Sequence, residues 1–191
     1  DFMNQYYPAF INTPQKFGMI RYGPAGITTV DVDNDGFYDL FIPDGVESKL
    51  FRNTGDGRFT DITAKVGLSG LDGVSVGVFA DFDNDGKLDL YVGRYLDPRL
   101  KIPTTFYARN GEPNQMYHNN GDGTFTNVTM KSHTDEPGLC LGTVAGDIND
   151  DGYPDLYVVN DFDRKTLLTH VHAGVVTADS HANPQNYFDA A

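Results

Sequence analysis

Short runs of apolar residues, separated by polar turns that contain glycine, make up most of the chain. The runs at 74–80 and 90–94 contain valine, leucine and aromatic residues, and lengths of roughly four to eight residues are typical of strands. The order of runs and turns recurs. Each copy has a glycine-rich apolar strand, an aspartate-rich loop, two further strands, a tight turn and a fourth strand, which predicts an all-β array of four-stranded antiparallel sheets.

The repeat divides the chain into two complete units and one partial unit. We expect an irregular lead-in at 1–17, units at 18–68, 69–134 and 135–178, the last one degenerate, and an irregular tail at 179–191. The predicted strands are 26–30, 40–42, 49–52 and 58–63, then 74–80, 90–94, 115–118 and 124–129, then 142–146 and 156–159, with apolar strand character but no turn chemistry at 166–177. The nearly continuous apolar runs 90–92 and 156–159 indicate strands that are buried on both faces.

An insertion near 97–112 distinguishes the second unit from the first. It contains three of the 14 basic residues of the chain and the adjacent aromatic residues Phe106 and Tyr107. Long loops on a rigid β scaffold often carry partner contacts. The insertion is therefore either a contact surface or an inert addition.

Tight turns at 53–60 and 119–126 match closely in sequence, and their Asp-Gly pairs are the usual hairpin signature. Asp56 and Asp122 could be extra metal ligands. The favoured interpretation is that they accept backbone N–H groups within their own turns.

Three aspartate loops, at 31–39, 81–89 and 147–155, share one spacing of acidic residues. Carboxylates or an amide stand at positions 1, 3, 5 and 9 of each loop, and a glycine at position 6 provides a sharp turn. A hard cation such as Ca²⁺ takes six to eight oxygen ligands, and clustered carboxylates provide them. The backbone carbonyl at position 7 and water would complete the shell. An EF-hand is excluded because position 12, which needs glutamate, is Ile42, Val92 or Val158.

The formal net charge of −13 argues against nucleic-acid and anionic-membrane partners. Eleven carboxylates occupy ligand-like positions of the three loops, since Asn149 takes one of the places. Much of the acidity is therefore attributed to site chemistry. No stretch approaches the roughly 20 apolar residues of a membrane span, so no direct membrane insertion is expected.

The single cysteine, Cys140, excludes a disulfide framework and is interpreted as a small buried hydrophobe, with a reactive thiol as the alternative. His170 and His172 alternate along the chain, and His181 follows. A transition-metal site formed by these three histidines is a further alternative.

The recurring Asp-x-Asp-x-Asp-Gly-x-x-Asp-Leu loops and Asn-x-Gly-Asp-Gly-x-Phe-Thr turns resemble FG-GAP/VCBS repeats, the calcium-binding repeats of the integrin α-subunit type. The likeness is greatest to the bacterial and cartilage-acidic-protein type and covers roughly residues 18–165. It implies a β-propeller with four-stranded blades and three Ca²⁺ sites. Carried over to this sequence, the metal ligands are Asp31, Asp33, Asp35, Phe37 and Asp39; Asp81, Asp83, Asp85, Lys87 and Asp89; and Asp147, Asn149, Asp151, Tyr153 and Asp155, with the position-7 residues acting through their carbonyls.

A propeller closes with typically four to eight blades, whereas this sequence contains two complete blades and one partial blade. We therefore expect an incomplete propeller. Either the chain is part of a longer or processed protein, or it closes by assembly with partner subunits. In both cases further blades or subunits should cover its end sheets.

The function favoured by the sequence is a calcium-binding binding or scaffold module, for adhesion or assembly, in an extracellular, periplasmic or cell-surface location. Its expected partner is a protein or a glycan. The alternative is part of a secreted carbohydrate-active enzyme with a propeller scaffold, although no nucleophile-elbow, zincin or P-loop motif is present and no catalytic residue is assigned. A glycan array and an activity screen would distinguish the two.

Overall fold

The computed structural model describes residues 26–95, 111–135 and 139–160, and the backbone alone of 165–168, 171–172 and 175–176. The predicted lead-in, the tail and nearly all of the insertion lie outside the described residues. The predicted three-histidine site lies outside them too, since His170, His181 and the side chain of His172 are not described.

Two four-stranded antiparallel sheets form the first two units. Each sheet keeps the order of its strands along the chain, so every strand pairs with the one before it. The first sheet contains β1 (Thr28–Val30), β2 (Asp39–Ile42), β3 (Lys49–Asn53) and β4 (Phe59–Asp61). The second contains β5 (Val74–Ala80), β6 (Asp89–Arg94), β7 (Gln115–Asn119) and β8 (Phe125–Asn127). The predicted blades are confirmed in both units.

The third unit is a three-stranded sheet of β9 (Cys140–Gly146), β10 (Asp155–Asn160) and β11 (Lys165–Leu168), with β10 in the centre. A separate two-stranded sheet of β12 (Val171–His172) and β13 (Val175–Val176) follows. The predicted degeneration of this unit is confirmed among the described residues, because β11 is not continued there into a fourth strand of the same sheet.

The fourth strands are shorter than predicted, and one is followed by a helix, α1 (Thr129–Ser132), that was not predicted. Threonine side chains explain both endings. Thr63 Oγ1 accepts the N–H of Leu50 at 2.9 Å, and Thr129 Oγ1 accepts the N–H of Met116 at 3.0 Å. Each threonine thus takes over an edge N–H of the third strand, and the backbone is free to turn away.

The core consists of two hydrophobic clusters, one on each face of the second sheet. The first cluster joins it to the first sheet through Phe41, Leu50, Leu90 and Val92, and the second joins it to the third sheet. Tyr91, Met116, Cys140, Leu156 and Val158 form most of that second cluster. Burial of each large side chain contributes about 1.5–3 kcal/mol. Cys140 is fully buried, which raises the pKa of its thiol, as expected of a small hydrophobe.

Glycines allow the sheets to approach closely. A Cβ on Gly77 would lie 2.3 Å from the ring of Phe41 in the first sheet. A Cβ on Gly93 would lie 2.3 Å from the Sγ of Cys140 in the third sheet. The glycine-rich strands recognised in the sequence are therefore packing strands as well as loop supports.

The two faces of β6 are both covered, whereas among the described residues no sheet packs on the outer face of the third sheet. Leu90, Tyr91 and Val92 are 0% exposed, so the prediction for 90–92 is confirmed. The same prediction for 156–159 is wrong, because Tyr157 is half-buried and Val159 is 37% exposed. Val144 is paired with Tyr157 on the same outer face and is 61% exposed. Within the described residues, no helix is long and apolar enough to cross a membrane.

Candidate metal centre

Each aspartate loop connects the first two strands of its sheet as an antiparallel hairpin, as predicted from the flanking residues. The three loops share a left-handed residue at position 4, where Asn34, Asn84 and Asp150 have φ of 55°, 58° and 59°. Asparagine and aspartate tolerate this region better than other non-glycine residues. Position 6 has φ between 86° and 88° and is glycine in every loop. One backbone conformation is therefore used three times.

Position 1 anchors the loop to its own backbone. Asp81 accepts the N–H groups of Asp85 and Gly86, each at 2.9 Å. Asp31 and Asp147 accept the equivalent pairs at 2.8–3.0 Å. The position-5 carboxylates each accept the N–H of position 7 at 2.9 Å, from Phe37, Lys87 and Tyr153. These bonds curl the loop so that its carboxylates converge.

Position 9 is the first residue of the second strand, and its carboxylate is buried. Asp39 accepts the N–H groups of Val32 at 3.0 Å and Asn53 at 2.8 Å. Asp89 accepts the N–H of Asn119 at 2.8 Å, and Asp155 accepts that of Ile148 at 2.9 Å. The hydrogen bonds hold these carboxylates at the base of the loop.

Burial raises the pKa of Asp39, and it raises the pKa of Asp89 to about 6, with the nearby charge of Asp83 adding to the effect. Both shifts mean that the ionised carboxylate is disfavoured where it stands. A bound cation would remove this penalty, since an opposite charge favours the ionised form. The position-9 residues would therefore be stabilised in their ionised form by a cation at the loop.

In each of the first two loops, the carboxylates of that loop lie close enough to one another to hold one ion. Each of the groups Asp31, Asp33, Asp39 and Asp81, Asp83, Asp85 places ligand oxygens within 4.8 Å of one another. In the third loop the amide of Asn149 replaces one carboxylate, and its Oδ1 accepts the N–H of Asp151 at 3.0 Å. The donor set of all three loops is oxygen-rich and fits Ca²⁺, with the least negative charge at position 3 of the third loop.

The side chains at position 7 differ although their N–H groups bond alike. Lys87 pairs with Asp85 across its own loop. Phe37 is exposed and packs beneath Gly55 of the adjacent turn. The role of the position-7 carbonyls as ligands stays a prediction.

Two residues that face the loops were missed in the sequence. Arg52 on β3 lies 2.6 Å from Asp33 through Nε and 2.8 Å from Asp35 through a terminal nitrogen. His118 on β7 lies with its Nδ1 3.3 Å from Asp83 and 3.1 Å from Asp89. Both residues immediately precede the asparagine that opens the Asn-x-Gly-Asp-Gly turn. Aligning the two turns one residue further upstream would have identified them.

The turn aspartates are confirmed as local hydrogen-bond acceptors. Asp56 accepts the N–H of Arg58 at 3.2 Å, and Asp122 accepts that of Thr124 at 3.0 Å. Hydroxyl groups of Thr54 and Thr124 add further bonds to these carboxylates. Asp56 and Asp122 thus bond within their own turns, as predicted.

The second and third loops lie side by side. The side-chain amide of Asn84 donates a hydrogen bond of 2.8 Å to the carbonyl oxygen of Gly152. This bond connects position 4 of one loop to position 6 of the next. The second and third loops therefore lie next to each other at the same end of their two sheets.

A comparison of the sequence with family models finds the FG-GAP-like repeat at residues 31–92 and 104–158, together more than half of the chain. Each match includes a loop with the geometry described above. The first covers the loops at 31–39 and 81–89, and the second covers the loop at 147–155.

Among curated proteins, a relative is cartilage acidic protein 1 of Xenopus tropicalis, which is 33% identical over 90 residues. The aligned part is 46% of this chain and 14% of the relative. The chain therefore corresponds to a small portion of that protein.

Proposed function

Because the chain belongs to the family of FG-GAP-like repeats, we propose that it is a calcium-binding propeller module that acts outside the cytoplasm as a binding or scaffold element. The observation that carries the proposal is the identical hydrogen-bonded frame of the three aspartate loops. Side-chain oxygens converge in each loop, and the clustered carboxylates would repel one another without a cation. Ca²⁺ accepts this number and type of ligand in flexible geometry.

The proposed ions bind at positions 1, 3, 5 and 9 of each loop, with the position-7 carbonyls completing the shell. In the first loop the guanidinium of Arg52 already neutralises part of the charge of Asp33 and Asp35. Lys87 does the same for Asp85 in the second loop, so we expect Ca²⁺ to displace a side-chain cation in both loops. The third loop has one carboxylate fewer because of Asn149.

The location outside the cytoplasm is supported by calcium supply and by the relative. Extracellular calcium modules have dissociation constants of about 0.1–1 mM, and such sites would remain empty in the cytosol. The relative is named for cartilage, a tissue that consists largely of extracellular matrix. We place the chain in an extracellular, periplasmic or cell-surface setting on these grounds.

The expected partners are a protein or a glycan, together with further blades or partner subunits that complete the propeller. The outer face of the third sheet supports the second part of this proposal, since Val144 is 61% exposed and Val159 is 37% exposed there. Natural proteins seldom leave a hydrophobic sheet face in solvent.

Thermal unfolding with calcium or with chelator tests the metal. A ligand that binds the folded state alone adds about 2.7 kcal/mol per site at a hundredfold excess over its Kd. We expect a large rise of the melting temperature with Ca²⁺. The same melting temperature in both conditions would contradict the proposal.

Asp85→Ala and Asp56→Ala form a matched pair for locating the ion. The first substitution removes a loop carboxylate and should reduce the number of bound Ca²⁺ ions by one. The second removes a turn hydrogen bond worth about 1 kcal/mol and should leave calcium stoichiometry unchanged. Equal loss of calcium in both variants would show that the ions are bound elsewhere.

A further inference from the structure

We propose that the second loop contains a site for a first-row transition-metal dication, formed by the Nδ1 of His118 with the carboxylates of Asp83 and Asp89. These three ligand atoms lie within 4.8 Å of one another. An imidazole nitrogen is a ligand that zinc, copper, iron and nickel prefer, whereas Ca²⁺ prefers oxygen. The histidine therefore gives this loop a nitrogen ligand suited to transition metals, in addition to its oxygen ligands.

The spacing of the three atoms agrees with a shared small cation. Bonds of about 2.0–2.2 Å at a tetrahedral angle place two ligands roughly 3.4 Å apart. His118 Nδ1 lies 3.3 Å from Asp83 Oδ2 and 3.1 Å from Asp89 Oδ1. The nitrogen is therefore at about the required separation from each carboxylate, the two carboxylates lie within 4.8 Å of each other, and water would complete four-coordination.

The nitrogen points towards both carboxylates. His118 Nδ1 is shielded from solvent and lies within ion-pair distance of Asp83 and Asp89, although the ring as a whole is 28% exposed. A cation bound between the three atoms would replace these direct contacts with metal–ligand bonds.

The supporting contacts fix two of the ligands. The Asp89 side chain is 5% exposed, and its Oδ1 also accepts the N–H of Asn119 at 2.8 Å. Hydrogen bonds of this kind orient a metal ligand. His118 is on the same strand, directly before Asn119, so β7 supplies one ligand and aligns another.

The first loop provides an internal comparison. Arg52 occupies the position of His118 and brings its positive guanidinium against Asp33 and Asp35. In the first loop the third strand thus supplies a positively charged side chain. In the second loop it supplies an imidazole nitrogen that can bind a metal ion. We infer that this single position decides which cation each loop prefers.

The inference shares Asp83 and Asp89 with the calcium site proposed above, but it does not require that calcium binds. We expect Zn²⁺ and Ca²⁺ to compete for the second loop. Zn²⁺ is the probe, added to the whole 191-residue chain with and without saturating Ca²⁺. Stoichiometry is measured by native mass spectrometry and affinity by calorimetry.

His118→Gln is the central variant, and His133→Gln is its control because His133 is an exposed histidine away from the loops. We expect His118→Gln to bind one Zn²⁺ fewer than the unsubstituted chain, or to bind it at least about a hundredfold more weakly, while calcium stoichiometry is kept. His133→Gln should keep every Zn²⁺. Zinc that binds elsewhere in the chain is expected in the unsubstituted chain and in His118→Gln alike, so it cancels when their stoichiometries are subtracted.

Equal zinc stoichiometry and affinity in His118→Gln and the unsubstituted chain would overturn the site, even if the calcium results hold. If the unsubstituted chain binds Zn²⁺ as expected but its melting temperature does not rise with Ca²⁺, the proposed function alone is contradicted. Arg52→His is an independent variant, expected to gain one Zn²⁺ at the first loop. Failure to gain it would overturn the inference that this position selects the cation.

Discussion

The second and third sheets contain the same four residues, Asp-Leu-Tyr-Val, at the start of their central strands at 89–92 and 155–158. Leu90 and Leu156 are both 0% exposed, and so are Val92 and Val158. The tyrosines differ, since Tyr91 is fully buried and Tyr157 is half-buried. Tyr91 faces the third sheet through the second hydrophobic cluster, whereas Tyr157 faces the open side of the array. Identical local sequence therefore has two different environments.

A continuous apolar run shows that a strand can be buried on both faces, but burial also requires a neighbouring sheet on each side. The central strand of the second sheet has a sheet on both sides. The central strand of the third sheet has a sheet on one side among the described residues, so we expect a further blade or subunit on its outer face.

The largest expected difference is between Tyr91→Ala and Tyr157→Ala. Removing a large, fully enclosed ring leaves a cavity and should lower the free energy of unfolding by about 3–5 kcal/mol. Removing the half-buried ring should lower it by about 1 kcal/mol. Urea denaturation at fixed Ca²⁺ measures both. Leu90→Ala and Leu156→Ala are the controls and should cost similar amounts, because both leucines are enclosed. Equal losses for the two tyrosines would mean that the outer face is covered in solution.

A second pair compares glycines in the two environments. Gly93→Ala would place a Cβ against Cys140 and Val76, so it should destabilise the chain by about 1–3 kcal/mol. Gly142→Ala on β9 meets no atom within 4 Å and should change stability by less than about 0.5 kcal/mol. Thermal unfolding of the two variants decides this. A tolerated Gly93→Ala would show that the sheets separate more easily than their spacing implies.

The sequence predicted the blades well because their signals are local. Alternation of strands and turns, the Asp loops and the Asp-Gly hairpins each depend on residues close along the chain, and β5 has the predicted bounds. The loop conformation depends on local residues for the same reason, and the role of its carboxylates as metal ligands stays a prediction. Asp31, Asp81 and Asp147 are fixed by their own backbones.

What the sequence did not predict depends on residues that are distant along the chain. His118 reaches a loop that ends at Asp89, and Arg52 reaches Asp33 across a hairpin. The outer face of the third sheet depends on whether another sheet is present. The short helix α1 depends on the capture of a third-strand N–H by Thr129. None of these has a periodic signature.

A third prediction concerns the bond between the second and third loops. Asn84→Gly keeps the left-handed backbone that Gly adopts freely and removes the amide that donates to the Gly152 carbonyl. We expect a loss of about 1 kcal/mol in the free energy of unfolding. Asn34→Gly makes the same change in the first loop and measures the backbone contribution, so it should cost less. Equal costs would mean that the bond between the loops contributes nothing.

The smallest effect on stability, with the clearest effect on assembly, is expected from Val144→Lys on the open face. Val144 is 61% exposed, so replacing it should change the free energy of unfolding by less than about 0.5 kcal/mol. The outer face of the third sheet is nevertheless apolar, with Val144 and Tyr157 paired across β9 and β10. Exposed sheet faces of this kind promote association, and a lysine there opposes it.

With saturating Ca²⁺, we therefore expect the unsubstituted chain to self-associate with rising concentration in sedimentation velocity, and Val144→Lys to remain monomeric at the same concentrations. Met130→Lys adds the same charge at an exposed residue of α1 and should behave like the unsubstituted chain. An unsubstituted chain that stays monomeric throughout, or a Met130→Lys variant that loses association equally, would show that the third sheet does not need a neighbour on its outer side.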